Sequence, residues 1–165
     1  MELLDQYRIL HGQGKFPGLS VTKFAEEIGQ LCKSYGCETM LDYGAGQGYQ
    51  YAPPHNMDMK WGVRVHCYDP AVEGMNVLPS GKFDIVLCSD VLEHVPLLEI
   101  PGVLENIFSR ASKVVFLTTC PRAAKKTLPN GRNCHVTQMP ASWWQAEFAP
   151  FAEKYSVPFF HRETP

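Results

Sequence analysis

The spacing of apolar residues predicts two helices before the first strand. Leu3, Leu4 and Tyr7 mark one side of a short N-terminal helix, and a loop punctuated by glycines follows at 11–18. A second helix is predicted to begin at Ser20, because serine caps helix N-termini well. Its apolar positions recur every three or four residues, as one face of a helix requires; they are Val21, Phe24, Ala25, Ile28, Leu31 and Cys32.

Short apolar runs rich in β-branched and aromatic residues alternate with the helical segments and predict strands. The candidate strands are 39–43, 64–68, the run that begins at Phe83, 113–118 and an edge strand at 157–161. The run 113–118 is apolar throughout, as a central parallel strand should be. Asn76–Leu78 is a further candidate for a short strand within the connection 71–81.

The remaining helices are predicted from proline and capping signals. Pro53-Pro54 shortens the helix after the first strand to one or two turns, and 55–62 is expected to be irregular. Pro101 fits the first turn of a helix after the third long strand. Ser142 begins a capping-box pattern that opens the last helix, and Pro150 is expected to kink or end that helix.

Strands that alternate with helices predict an α/β fold with a mostly parallel sheet and right-handed crossovers. A length of 165 residues predicts one domain. The expected parts of this domain are N-terminal helices and a lid in 1–36, a ligand-binding core in 37–120, and a loop, helix and strand in 121–165. In such sheets, ligands bind beyond the carboxyl ends of the strands.

The most informative stretch lies where the first strand ends and three glycines alternate, at 44, 46 and 48. Glycine has no Cβ and readily takes positive φ, so its backbone can press against a nucleotide. A dinucleotide fingerprint requires Gly-x-Gly-x-x-Gly, but Tyr49 occupies the last glycine position here. The pattern Gly-x-Gly-x-Gly, with Asp42 two residues upstream, resembles motif I of the class I S-adenosylmethionine-dependent methyltransferases.

Two further segments resemble the same family in the right order. The segment 64–70 is a short strand that ends in the acid Asp69, and 83–95 resembles the family's fourth strand and the turn after it. The turn sequence Asp-Val-Leu-Glu-His is common among small-molecule methyltransferases of the ubiquinone-biosynthesis type. The resemblance implies a single Rossmann-like, doubly wound sheet, reduced in the helix after the first strand and in the third-strand region.

The resemblance also implies a site for S-adenosylmethionine. Asp69 would accept hydrogen bonds from both ribose hydroxyls, which a carboxylate has the acceptor capacity to do. Asp42 would hold the glycine loop and attract the methionine ammonium, and the loop backbone would approach the cofactor. The expected cofactor-binding residues are Asp42, Gly44, Ala45, Gly46, Gly48, Asp69, Ser89, Asp90 and Val91.

Two histidines are candidates for the substrate side of the site. Transfer of a methyl group from a sulfonium needs mainly alignment and desolvation, but histidine is the natural base where a proton must leave. His94 follows the third long strand, and the resemblance places His135 after the next strand, facing the substrate. For both residues a packing or loop-anchoring histidine is the alternative. Tyr7, His11 and Phe16 resemble a lid over the cofactor, the alternative being an ordered surface segment.

Charge and cysteine content exclude several other classes. Fifteen basic against seventeen acidic residues give a formal net charge of −2, which does not favour a nucleic-acid partner. The chain has no run of about 18 apolar residues and no signal-peptide layout, so no membrane span and a cytoplasmic location are expected. The six cysteines lack paired Cys-x-x-Cys motifs, so neither a metal site nor a disulfide framework is expected. The densest basic cluster contains Arg122, Lys125, Lys126 and Arg132.

These observations predict an enzyme that transfers a methyl group from S-adenosylmethionine to a small-molecule acceptor. The Asp/Asn-Pro-Pro-aromatic run of DNA amino-methyltransferases is missing, because 89–92 has Ser-Asp-Val-Leu instead. A homodimer or a protein partner that completes the cavity remains open. The alternatives are a non-catalytic domain that binds or sequesters the cofactor, and a nicotinamide-dependent oxidoreductase.

Overall fold

A five-stranded parallel sheet forms the centre of the computed structural model, which describes residues 1–164. The strands lie in the order β2-β1-β3-β4-β5, and every neighbouring pair is parallel. Their bounds are β1 Thr39–Tyr43, β2 Arg64–Tyr68, β3 Phe83–Ser89, β4 Ala111–Thr119 and β5 Phe159–Glu163. The predicted α/β class and parallel sheet are confirmed.

Helices cover both faces of this sheet. They are α1 Leu3–Gly12, α2 Ala25–Ser34, α3 Met57–Trp61, α4 Ile100–Arg110 and α5 Ala141–Tyr155. Fully buried Leu104 of α4 and Trp144 of α5 pack in the cluster on one face, and Ile28 of α2 lies in the cluster on the other. The central strands β3 and β4 are buried from both sides, which explains why they are apolar without alternation.

The second helix begins later than predicted. Residues 19–24 form a 3-10 turn, and α2 starts at Ala25. Ser20 caps neither element: its Oγ lies 3.5 Å from the Ser89 Oγ, and Gly18, at φ 88°, precedes the 3-10 turn. The prediction of a serine cap is therefore wrong, because the entry to this segment is a left-handed glycine rather than a side-chain hydrogen bond.

The segments after β1 and between β2 and β3, which were predicted to be reduced, differ in detail from the prediction. After β1 the chain makes one 3-10 turn at Tyr49–Tyr51, which confirms the shortened helix. The expectation of an irregular 55–62 is wrong, because Met57 and Trp61 are buried against the core and hold the short helix α3. Asn76–Leu78 forms no strand, since the preceding residues close into turns and Val77 is 77% exposed. Strand β2 is consequently an edge strand.

The C-terminal helix also corrects two expectations. Helix α5 begins at Ala141 after Pro140, and the Ala141 N–H donates to the Glu163 carboxylate at 2.9 Å, so the predicted capping box at Ser142 is wrong. Pro150 lies within the helix and does not end it, because the aromatic packing of Phe148 and its neighbours continues to Tyr155. Among residues 1–164, no helix combines the length and the apolar character needed to cross a membrane.

Candidate functional site

A cavity of about 1,570 Å³ opens at the carboxyl ends of the central strands. It exceeds the roughly 300–1,000 Å³ usual for one small ligand, so it has room for two small molecules. Most of the predicted site residues line it: Gly44, Gly46, Asp69, Ser89, Asp90, Val91, His94 and His135. Asp42, Ala45 and Gly48 lie outside that lining.

The glycine loop has two positions where only glycine fits. Gly44 has φ 88°, and a Cβ there would lie 2.3 Å from Val91 Cγ2. Gly46 has φ 59°, and a Cβ there would lie 2.6 Å from the carbonyl oxygen of Phe16. Both the left-handed backbone and the close neighbours therefore exclude a side chain. The result is a loop that presents bare backbone to the cavity.

Asp69 lies directly after β2 and is 7% exposed. Its Oδ2 accepts the Gly46 N–H at 3.0 Å, its Oδ1 accepts the Ala71 N–H at 2.9 Å, and the His11 Nε2 lies 3.7 Å from Oδ1. Burial raises the pKa of this carboxyl above its ordinary value. An ionised carboxylate has about four acceptor positions, so two backbone donors leave capacity for the hydroxyls of a ligand.

Asp42 lies outside the cavity lining and supports the glycine loop through hydrogen bonds. Its Oδ2 accepts hydrogen bonds from the Gln50 Nε2 at 2.9 Å and the Tyr51 hydroxyl at 2.7 Å. Gln50 also donates to the Ala45 carbonyl oxygen at 3.0 Å. Burial raises the Asp42 pKa to about 6, although both side-chain hydrogen bonds oppose the shift. Gln50 and Tyr51 thus help to hold Asp42 and the glycine loop in place, and neither residue was predicted from the sequence.

Asp90 occupies a strained position at the end of β3. Its φ is 55°, an uncommon value for any residue with a side chain. The Thr118 hydroxyl donates to Asp90 Oδ1 at 2.8 Å, and the Asp90 N–H donates to the Thr118 carbonyl oxygen at 3.1 Å. Ser89 Oγ lies 2.9 Å from the same Thr118 hydroxyl. Thr118, which is fully buried on β4, therefore holds both predicted residues at the cavity.

The structure brings the two predicted histidines together. Their rings are nearly perpendicular, with centroids 4.8 Å apart. His94 Nδ1 lies 3.0 Å from the Cys134 carbonyl oxygen, which assigns the proton to Nδ1 and leaves Nε2 as an acceptor. His135 Nδ1 faces the Arg122 carbonyl oxygen in the same way. Burial, followed by the neighbouring His135, lowers the His94 pKa to about 3.

The N-terminal segment covers the cavity. Tyr7 donates a hydrogen bond to the Cys134 carbonyl oxygen at 2.7 Å, and its hydroxyl lies 3.3 Å from His94 Nδ1. The Gln47 N–H donates to the Phe16 carbonyl oxygen at 3.0 Å. Tyr7, His11 and Phe16 all line the cavity. The segment is therefore hydrogen-bonded both to the glycine loop and to the loop after β4.

A family model described as a methyltransferase domain matches residues 20–163. The chain belongs to the class I S-adenosylmethionine-dependent methyltransferase family. The match begins after the cavity-covering segment and includes all five strands of the sheet. No curated protein and no solved structure gives a significant match. The methyltransferase fold predicted from the glycine loop, Asp69 and the turn after β3 is thereby confirmed.

This methyltransferase also contains a buried acid that the sequence analysis did not assign to the site. Glu93 is fully buried, and its Oε1 accepts the Cys120 N–H at 2.9 Å. Its Oε2 has no partner among residues 1–164. Burial, followed by the charge of Asp90, raises the Glu93 pKa to about 8. Burial therefore favours the protonated form of this side chain, and its hydrogen bond to Cys120 ties the turn after β3 to the end of β4.

The residues present fit the cofactor that this family uses. The glycine loop provides a cradle that a side chain would fill, and Asp69 keeps acceptor capacity beside it. Residues 1–164 contain no group of three or more His, Cys, Asp or Glu side chains placed to hold a metal ion.

Proposed function

We propose that this methyltransferase transfers the methyl group of S-adenosylmethionine to a small-molecule acceptor inside the cavity. The observation that carries the proposal is the pairing of Asp69 with the backbone of Gly46 at the cavity wall. That pairing puts a carboxylate with spare acceptor capacity next to a backbone cradle, an arrangement suited to a ribose. The cavity volume supports simultaneous binding of donor and acceptor.

Each part of the cavity has a distinct role in this proposal. Asp69 accepts the ribose hydroxyls, and Gly44 and Gly46 approach the cofactor through their backbone. Asp90 and Ser89, held by Thr118, line the same cavity. The bound cofactor supplies a methyl group already activated by its sulfonium. The protein therefore contributes mainly alignment and exclusion of water.

For an acceptor that must lose a proton, we assign the base to His135. A pKa of about 3 makes His94 a poor proton acceptor near neutral pH. His135 lines the cavity, and its Nδ1 is engaged by the Arg122 carbonyl oxygen, which leaves Nε2 to accept a proton. His94 then acts as a positioning residue that packs against the His135 ring.

Calorimetry with S-adenosylhomocysteine tests the donor site. Asp69→Asn keeps the shape of the side chain but removes its charge, and it should weaken binding roughly tenfold or more, since a hydrogen bond to a charged group contributes about 1.5–3 kcal/mol. Asp5→Asn, an exposed change in α1, is the matched control and should bind like wild type. Heat from NAD but not from S-adenosylhomocysteine would contradict the proposal.

A labelled-methyl assay against a metabolite panel then separates an enzyme from a sequestering domain. Transfer that falls on His135→Gln, with S-adenosylhomocysteine affinity unchanged, supports the assignment of the base. Tight cofactor binding without transfer to any metabolite would favour the non-catalytic alternative. A nicotinamide-dependent oxidoreductase would instead bind NAD and reject the nucleoside product.

A further inference from the structure

Positive charge is concentrated on one wall of the cavity. Arg122, Lys125 and Lys126 line it from the loop that follows β4. The Lys126 ammonium is already engaged, because it donates to the Lys15 carbonyl oxygen and lies 4.3 Å from the centroid of the Phe16 ring. Arg122 and Lys125 enter no ion pair with any of residues 1–164. Arg122 and Lys125 therefore line the cavity without an ion-pair partner.

This wall is ordered by its own hydrogen bonds. The Ala124 N–H donates to the Asn133 Oδ1 at 2.9 Å, and the Asn133 Nδ2 donates to the Ala124 carbonyl oxygen at 2.8 Å. The Arg122 carbonyl oxygen faces His135 Nδ1. The segment that carries the cations is thus the one that carries the proposed base. A preorganised segment loses less conformational entropy when a ligand binds.

Much of the remaining cavity lining is apolar. It includes Leu3, Leu4, Val95, Pro96, Val103 and Ala123. Two carboxylates, Glu2 before α1 and Glu99 before α4, also line the cavity, but on elements other than the basic loop. Both side chains are exposed to solvent. An acceptor with an apolar body and one negative group can satisfy the apolar surface and the unpaired cations together.

We propose that the methyl acceptor is an apolar molecule with an anionic group, such as a carboxylate, and that Arg122 and Lys125 bind this group. The inference rests on the proposed function, since it assumes that the other end of the cavity holds the donor. Arginine is suited to the task because its planar fork can pair with both oxygens of a carboxylate. Lys125 adds a second charge from the same loop.

Calorimetry on the S-adenosylhomocysteine-loaded protein tests this assignment with three probes of equal length. Octanoate is anionic, octanamide is neutral and octylamine is cationic. Octanoate should bind at least tenfold more tightly than either of the other two, and its advantage should shrink as salt is added. Arg122→Gln and Lys125→Gln should each remove much of that advantage and leave octanamide binding unchanged.

Exposed cations outside the cavity lining provide matched controls. Arg64→Gln on the edge strand β2 and Lys60→Gln in α3 should leave octanoate binding as it is in wild type. Equal binding of the three probes, no binding of any, or a preference for octylamine through Glu2 and Glu99, would overturn the inference while S-adenosylhomocysteine binding persists. Failure of wild type to bind S-adenosylhomocysteine would instead overturn the proposed function, and this inference with it.

Discussion

Replacing Glu93 with glutamine is expected to stabilise the folded protein at alkaline pH. The carboxyl is fully buried, one oxygen accepts the Cys120 N–H, and the other has no partner among residues 1–164. Glutamine copies the shape of the protonated carboxyl and keeps the acceptor for Cys120. The substitution therefore removes a buried ionisable group without creating a cavity.

The magnitude follows from the pKa of Glu93, which burial raises from 4.5 to about 8. Between these values the unfolded chain releases a proton that the folded protein keeps. Unfolding is therefore favoured progressively as pH rises through this window, by roughly 5 kcal/mol in total. Above about pH 8 both states are ionised and the penalty is constant. The glutamine variant has no such proton and lacks this part of the pH dependence.

Urea unfolding at pH 5, 7 and 9 measures the effect. Glu93→Gln should exceed wild type by several kcal/mol at pH 9, and the difference should fall to about 1 kcal/mol at pH 5. Glu153→Gln, an exposed change in α5, is the matched control and should keep the wild-type slope. Parallel stability curves for wild type and Glu93→Gln, or a glutamine variant that is less stable at pH 9, would refute the reasoning.

Three further substitutions test the site's supporting contacts. Gly46→Ala should weaken S-adenosylhomocysteine binding measured by calorimetry, because a Cβ would lie 2.6 Å from the Phe16 carbonyl oxygen on a left-handed backbone. Tyr7→Phe removes the hydrogen bond to the Cys134 carbonyl oxygen and should speed amide hydrogen exchange in α1, at a cost of about 1 kcal/mol. Thr118→Val removes the buried hydroxyl that donates to Asp90, and it should lower the free energy of unfolding measured in urea by roughly 2 kcal/mol.

The sheet and the glycine loop could be predicted because their signals are local. Strands buried on both faces must be continuously apolar, and β4 shows that pattern in the sequence. The backbone of the loop is left-handed at its glycines, and this local requirement makes their spacing a signal that the sequence alone shows. The neighbours that enforce the requirement were not predictable, since Val91 and Phe16 reach the loop from distant parts of the chain.

The supporting residues could not be predicted for the same reason. Tyr7 meets Cys134 across 127 positions of sequence, and Thr118 reaches Asp90 from a neighbouring strand. The two predicted serine caps were wrong as well. Gly18 precedes the 3-10 turn and Pro140 precedes α5, and neither residue caps its segment with a side-chain hydrogen bond. The burial of Glu93 had no local sign either, because its turn also contains the polar residues Asp90 and His94.

The central claim is that Asp69 and the glycine loop hold the nucleoside of S-adenosylmethionine. A crystal structure of the protein with S-adenosylhomocysteine tests it most directly. We expect both ribose hydroxyls to lie within hydrogen-bonding distance of the Asp69 carboxylate, with the thioether directed toward His135. A nucleoside bound away from Asp69, or a ribose that contacts other residues, would contradict the account.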